Sequence, residues 1–358
     1  MSTRVLVVDD ASLFRRVISD ALSGIPGVEV VGTASNGKLA LARIAALQPD
    51  LITLDIEMPE MNGIEVLESM RKAGITTNVI VLSSCTVRGS QMTFRALESG
   101  AFDFITKPDS GSPAENLAGL RDHLRPLILA LERRREIRSI LNVKAPPRAS
   151  VTLPVHTVTA PIRSKSPIVL IGVSTGGPVA LAELLPAFPA KIGAPVFIVQ
   201  HMPPHFTSAL AQRLHSKSAI AVKEAENGEI ARIDTVYLAP GGKQMKVGPG
   251  PRGEIVVCIS DDPPENACRP SVDYLFRSVA IHFPGRSVAA ILTGMGNDGT
   301  EGLRILKRGG SYTIAQDEAS CVVFGMPKEA ILAGVVDTVV PLNKIARAII
   351  LGIAAATA

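Results

Sequence analysis

The stretch SPIVLIGVSTGGPVALAELL, residues 166–185, decides how this chain is read. It opens with an apolar run rich in β-branched residues and closes with a helix-like one, and a short turn of serine, threonine and glycine joins them. A strand that feeds directly into a helix is the unit of a parallel sheet, because a parallel neighbour is reached only by a crossover that covers one face. The turn also raises a chemical question. Ser174 stands in Gly172-Val173-Ser174-Thr175-Gly176, the G-x-S-x-G spacing that lifts a serine hydroxyl clear of its sheet. Serine is also a favoured helix N-cap, and Gly176-Gly177-Pro178 would start a helix without any chemistry.

The same strand-helix unit recurs on both sides. From residue 4 to about 139, RVLVV, VEVVGTA, DLITLD, NVIVLS and FDFIT alternate with amphipathic helical patterns, which predicts a parallel sheet covered on both faces. The alternation stops in NVKAPPRASVTLPVHTVTAPIRSKSP, whose five prolines mark an extended linker. It resumes with PIVLIGV, PVFIVQ, SVAAIL and SYTIAQ, and a Gly-rich stretch, KQMKVGPGPRGEIVVCIS, predicts an antiparallel hairpin inserted in the second unit. A chain of 358 residues is long for one core, and two units fit it.

Composition narrows the function classes. With 46% hydrophobic and 20% charged residues, a net charge of +4 and no tryptophan, the chain lacks the basic face and stacking platforms of a nucleic-acid binder. The run Arg133-Arg134-Arg135 reads as a solvated helix face. Cys85, Cys258, Cys268 and Cys321 show no CxxC spacing, as expected of reduced thiols in a cytoplasm. VLVV is followed at once by Asp9 and Asp10, so no secretory signal is expected, and the tail AIILGIAAATA is too short to span a membrane. The protein is expected to be cytoplasmic and not membrane-embedded.

In an open parallel sheet, ligands bind beyond the carboxyl ends of the strands. Asp9 and Asp10 end the first strand, Asp55 the third, Ser83 the fourth, and Lys107 follows the fifth. Clustered carboxylates suit Mg²⁺, and a lysine opposite them neutralises charge on a transferring phosphoryl group. Taken singly, Asp10 is a helix cap and Lys107 a solvated loop charge; together they describe a phospho-accepting aspartate. VVDD, LDIEMPEMNG, VLSS and ITKP resemble the receiver domain of response regulators over residues 1–125. The resemblance implies a flavodoxin-like fold, Asp55 as the phosphorylated residue, and Mg²⁺ held by Asp10, Asp55, the backbone carbonyl of Glu57 and, through water, Asp9. It implies Ser83, Phe104 and Lys107 as the switch residues and a histidine kinase as phospho-donor.

If Ser174 is a nucleophile it needs a base, and the base an orienting carboxylate. Of six histidines only His201 directly follows a strongly apolar strand, VFIVQ. His205 lies four residues on, but Pro203 and Pro204 prevent the continuous helix that a metal-binding pair would require. Asp298, in TGMGNDG, follows the strand SVAAIL; its bland reading is a tight turn. The order Ser, His, Asp does not fit the α/β-hydrolases. GVSTGG, QHMPPHFTSALAQRL, YLAPGG, RPSVDYLFRSVA, TGMGNDG and AQDEASCVVFGMP instead resemble the chemotaxis protein-glutamate methylesterases. That resemblance implies Ser174 as nucleophile, His201 as general base and Asp298 as its orienter, with the Met295 N–H at the oxyanion and Thr175 lining the site. It attaches no role to Arg269 or Gln316.

The expected fold class is therefore α/β, with two doubly wound parallel-sheet domains. These are the receiver (1–125), a helix end and Pro-rich linker (126–166), and a Rossmann-like methylesterase domain with its hairpin insertion (167–356). The expected function is a phosphorylation-activated serine hydrolase that demethylates glutamate methyl esters on chemoreceptors and deamidates receptor glutamines. No cofactor is expected in the catalytic domain and no nucleic-acid partner. A DNA-binding regulator is the other class a receiver suggests, but the second half is too long, too Gly-rich and too weakly charged for it. A nucleotide-binding loop at GVSTGG would need the GxGxxG or GK[ST] spacing, which is missing.

Overall fold

The structure, a computed structural model, describes residues 2–108, 112–141 and 167–357. The side chains of Arg133, Arg134 and Arg135 and the linker read at 142–166 lie outside what is described.

In the N-terminal unit β1 (Thr3–Val8), α1 (Ser12–Ser23), β2 (Val28–Ala34), α2 (Gly37–Leu47) and β3 (Leu51–Asp55) are followed by α3 (Gly63–Lys72), β4 (Asn78–Ser83), α4 (Val87–Glu98), β5 (Asp103–Thr106) and α5 (Pro113–Leu141). The strands form a parallel sheet in the order β2-β1-β3-β4-β5. The period of two sorts its side chains. Val5 and Val7 face α1 and α5 with Ile18, Leu22, Leu120 and Leu124, whereas Leu6 and Val8 join Ile44, Ile64 and Leu67 from α2 and α3. Burying each such side chain contributes about 1.5–3 kcal/mol. The chain leaves β1 toward β2 and returns to β3 on the other side, so the crevice where the order reverses opens at the carboxyl ends of β1 and β3.

The second unit runs β6 (Ile168–Val173), α6 (Gly177–Leu184), β7 (Val196–Gln200), α7 (Phe206–Lys217), β8 (Ala221–Glu224), β9 (Thr235–Leu238), β10 (Gln244–Pro249) and β11 (Ile255–Ser260). It continues with α8 (Val272–His282), β12 (Ser287–Ile291), α9 (Thr300–Arg308), β13 (Tyr312–Gln316), α10 (Met326–Leu332), β14 (Thr338–Val340) and α11 (Leu342–Thr357). A seven-stranded sheet has the order β14-β13-β12-β6-β7-β9-β8, every neighbouring pair parallel, and β10 and β11 form a separate antiparallel hairpin. This is the α/β, doubly wound architecture with a hairpin insertion that the sequence predicts. Here too the order reverses at the first strand, with β7 on one side of β6 and β12 on the other. The apolar tail is accounted for by α11, which buries Ile345, Ala346, Ile349 and Ile353. No helix among the described residues is long and apolar enough to cross a membrane.

The two units meet along α4 and β5 of the first and α7 of the second. Phe104 stacks on Phe206 with ring centroids 4.9 Å apart, and Phe94 meets the same ring edge-on. At the rim, Glu98 accepts from Arg213 Nε at 2.6 Å and pairs with Lys217.

Candidate functional sites

The first crevice gathers the acidic residues read from the sequence. Lys107 Nζ lies 2.7 Å from Asp55 Oδ2 and 2.8 Å from Asp9 Oδ2, and Asp9, Asp10 and Asp55 each offer a carboxylate oxygen within 4.8 Å of the others. Lys107 is thus no solvated loop charge. Nor does Asp10 cap α1: the N-cap is Ala11, whose N–H donates to Asp9 Oδ1, while Asp10 is exposed. Burial raises Asp55 to about 6, against the opposing pull of Lys107, while Asp55 and Asp9 together outweigh burial and raise Lys107. Ser83 is buried and its Oγ donates to Gly89 O in α4 at 3.1 Å. Glu57 is exposed, with its N–H donating to Asp55 Oδ1 at 3.3 Å. Phe104 faces the other unit through its stack on Phe206.

The second crevice is built around the turn after β6. Ser174 is not the cap of α6: Gly176 is, at φ +74°, where an added Cβ would collide with the Val322 side chain. The turn is braced from both neighbouring strands. Ser174 N donates to Thr293 O at 3.0 Å, just beyond β12, and Ser174 O accepts from Gln200 Nε2 at 2.9 Å, at the end of β7. His201 follows β7 directly, with its N–H on Val173 O, and its Nε2 lies 2.7 Å from Asp298 Oδ2. Three residues distant in sequence are thereby brought to the carboxyl edges of β6, β7 and β12.

Asp298 is held by the N-terminus of α8. Its carboxylate accepts from Val272 N at 2.7 Å, Asp273 N at 3.0 Å, Ser271 Oγ at 2.8 Å and Asn266 Nδ2 at 3.0 Å. Burial would raise this carboxyl, but His201 and the two helix N–H groups outweigh it and lower the group to about 2. Burial would likewise lower His201, but the Asp298 and Cys268 hydrogen bonds prevail and raise it to about 9. With Nε2 committed to Asp298, the other ring nitrogen, Nδ1, meets Cys268 Sγ at 3.7 Å. Among the described residues no hydrogen bond joins Ser174 Oγ to the imidazole.

Met295 is 45% exposed, and its N–H has no acceptor among the described residues. Thr175 is half-buried and its carbonyl accepts from Thr293 Oγ1 at 2.9 Å. Gln316 is a brace, accepting from Thr293 N at 2.8 Å. His205 is exposed at φ +69° at the start of α7 and makes no group with His201. Sequence reading missed Gln200, Asn266, Cys268, Ser271 and Asp103. Gln200 had a signal, as the residue that passes β7 into His201. The rest lie in the loop before α8 or in the other unit and meet the site only through the tertiary fold. Asp103 is the most distant: this buried carboxylate of β5 accepts the Gly176 N–H through Oδ2 at 3.1 Å, and burial raises it to about 6.

Comparison with known proteins places both crevices in a context. The family described as CheB methylesterase matches residues 169–349, and that described as Response regulator receiver domain matches residues 5–113. The chain is 51% identical over 354 residues to the protein-glutamate methylesterase/protein-glutamine glutaminase of Desulfotalea psychrophila, covering 97% of each. It is 44% identical over 351 residues to the Bacillus subtilis protein of the same name, again covering 97% of each. Among solved structures, the Thermotoga maritima CheB methylesterase catalytic domain is 42% identical with a TM-score of 0.51, over 52% of this chain and 99% of that one.

Proposed function

This chain belongs to the CheB methylesterase family and carries a response regulator receiver domain ahead of the methylesterase, and on that premise we propose how its residues perform and control the reaction. The enzyme is a protein-glutamate methylesterase/protein-glutamine glutaminase, a hydrolase of two-component signalling in chemotaxis. The match leaves no support for a DNA-binding or nucleotide-binding second half.

In our reading Ser174 Oγ attacks the γ-carbonyl of a receptor glutamate methyl ester and passes its proton to His201. The receiving nitrogen is Nδ1, since Asp298 engages Nε2. Methanol leaves with that proton, and water, deprotonated by the same nitrogen, hydrolyses the glutamyl-serine; a glutamine substrate releases ammonia instead. The Met295 N–H stabilises the oxyanion and Thr175 lines the site. The Ser174–His201 hydrogen bond closes when substrate binds, as catalytic hydrogen bonds often do. One observation carries the reading: the 2.7 Å His201–Asp298 contact beside the strand that presents Ser174.

Control comes from the receiver. The all-oxygen donor set of Asp9, Asp10 and Asp55 suits Mg²⁺, which Asp10, Asp55 and the Glu57 carbonyl would hold, with Asp9 acting through water. Bound there, such an ion would neutralise phosphoryl charge. Asp55 takes the phosphoryl group from the chemotaxis histidine kinase, with Lys107 beside it. Ser83 and Phe104 relay the change, and β5 releases the Ser174 turn. The partners are the kinase and methyl-accepting chemoreceptors on the cytoplasmic side of the membrane. Methanol release from methylated receptor membranes, with and without a phospho-donor, tests this. Ser174→Ala abolishes release; near-normal release from that variant refutes the nucleophile.

A further inference from the structure

Cys268 takes no part in the proton relay, yet its thiol faces the ring nitrogen on which the relay depends. Sγ lies 3.7 Å from His201 Nδ1, and His201, Cys268 and Asp298 offer ligand atoms all within 4.8 Å of one another. Tetrahedral zinc holds thiolate sulfur at about 2.3 Å and imidazole nitrogen at about 2.0–2.1 Å, which sets the two donors about 3.5 Å apart. Closing the pair onto such an ion needs a movement of only about 0.2 Å. Behind the imidazole, Asp298 on Nε2 is the carboxylate partner that fixes the tautomer and raises the basicity of a metal-bound histidine. The pairing that makes Nδ1 a base also makes it a ligand. Cys268 is half-buried and the His201 side chain 14% exposed, so an ion reaches both without unfolding.

We propose that His201 and Cys268, backed by Asp298, form a site for a thiophilic divalent cation, zinc, and that zinc bound there switches the hydrolase off. Binding releases the thiol proton to solvent, and the lone pair of Nδ1 goes to the ion instead of the Ser174 proton. Water completes the coordination. The receiver's all-carboxylate cluster has the opposite preference, for hard cations such as Mg²⁺, so the two sites sort ions by ligand softness. The inhibitory half of this proposal rests on the role given to His201 above; the site itself does not.

Cobalt titration of the full chain in saturating Mg²⁺ tests the site directly. The wild type develops thiolate-to-cobalt charge-transfer absorption, and Cys268→Ala, Cys268→Ser and His201→Gln do not. Lack of the band in the wild type, or its persistence in the Cys268 variants, overturns the site. Methanol release in buffered zinc, each variant scaled to its own metal-free rate, tests the switch. The wild type loses about tenfold or more and recovers with chelator, whereas the Cys268 variants lose less than about twofold. Equal zinc sensitivity in all three overturns the switch. A cobalt–thiolate band in a protein whose His201→Ala variant still hydrolyses ester supports the site while refuting His201 as the base, which separates the two failures.

Discussion

Asp298 accepts five hydrogen bonds, from His201, Asn266, Ser271, Val272 and Asp273, and its value of about 2 keeps it ionised at neutral pH. Its partner imidazole therefore favours the charged form, and a general base must first lose that proton. Methanol release is expected to rise with pH through the neutral range, with its limb near the His201 value of about 9. Cys268→Ala moves the limb toward lower pH, because the thiol contact is one of the causes raising that value; a pH–rate profile of both proteins checks this. Ser174→Ala and His201→Ala are expected to cost on the order of 10⁶ in kcat and Asp298→Ala on the order of 10⁴, the ordering found when a serine hydrolase loses each member of its relay. The placement of the three residues was legible in the sequence because Ser174 and His201 directly follow apolar strands, Asp298 lies in the loop after another, and strand ends in a parallel sheet share an edge. Asn266 and Cys268 were not, since they lie in an irregular loop that no periodicity locates.

At the level of elements, α8 holds the Asp298 carboxylate at its N-terminus as well as presenting a core face. Ser271 caps it through Tyr274 N and also donates to Asp298, while Leu275, Phe276 and Val279 anchor the helix against the sheet. Ser271→Ala is expected to lower stability by about 1 kcal/mol, as loss of a serine cap does, and to lower kcat with little change in KM. Calorimetry and steady-state methanol release read the two effects separately. Gly176→Ala combines a left-handed backbone with a collision at Val322, so the Ser174 turn shifts and activity falls sharply in a protein that still melts cooperatively. The long apolar strands and the Gly-rich hairpin could be read from pattern. The short strands β8, β9 and β14, of three or four residues, are too brief for a period of two to show, and their place comes from the neighbours they pair with.

In the whole molecule, phospho-acceptor and nucleophile are linked through one strand. Asp55→Asn is expected to remain at basal methanol release when a phospho-donor is added, and removal of residues 1–150 to raise the basal rate; an unchanged or lower rate after removal rules out restraint of the Ser174 turn by the receiver. Asp103 sets how the contact responds to acid. Its value in the folded chain, about 6, lies above the ordinary 3.8 because burial favours the neutral carboxyl, while the Gly176 N–H across the contact pulls the other way and favours the ionised form. The stability that burial of Asp103 governs is full below 3.8 and lost as pH climbs through about 6, whereas the contact to the Gly176 N–H is stronger with the ionised acceptor and so loosens in acid. Asp103→Asn, which offers the Gly176 N–H a neutral acceptor in place of the carboxylate, is expected to weaken the contact and raise basal release part of the way, whereas Asp103→Ala leaves that N–H without its acceptor and raises it further. Domain-contact crosslinking across the acid range tracks both. Because Asp103 grips a main-chain N–H, the brake reads the path of the turn and ignores the side chains displayed on it. Substrate choice can therefore drift through substitutions along the catalytic rim while the inhibitory grip passes unchanged from one variant to the next.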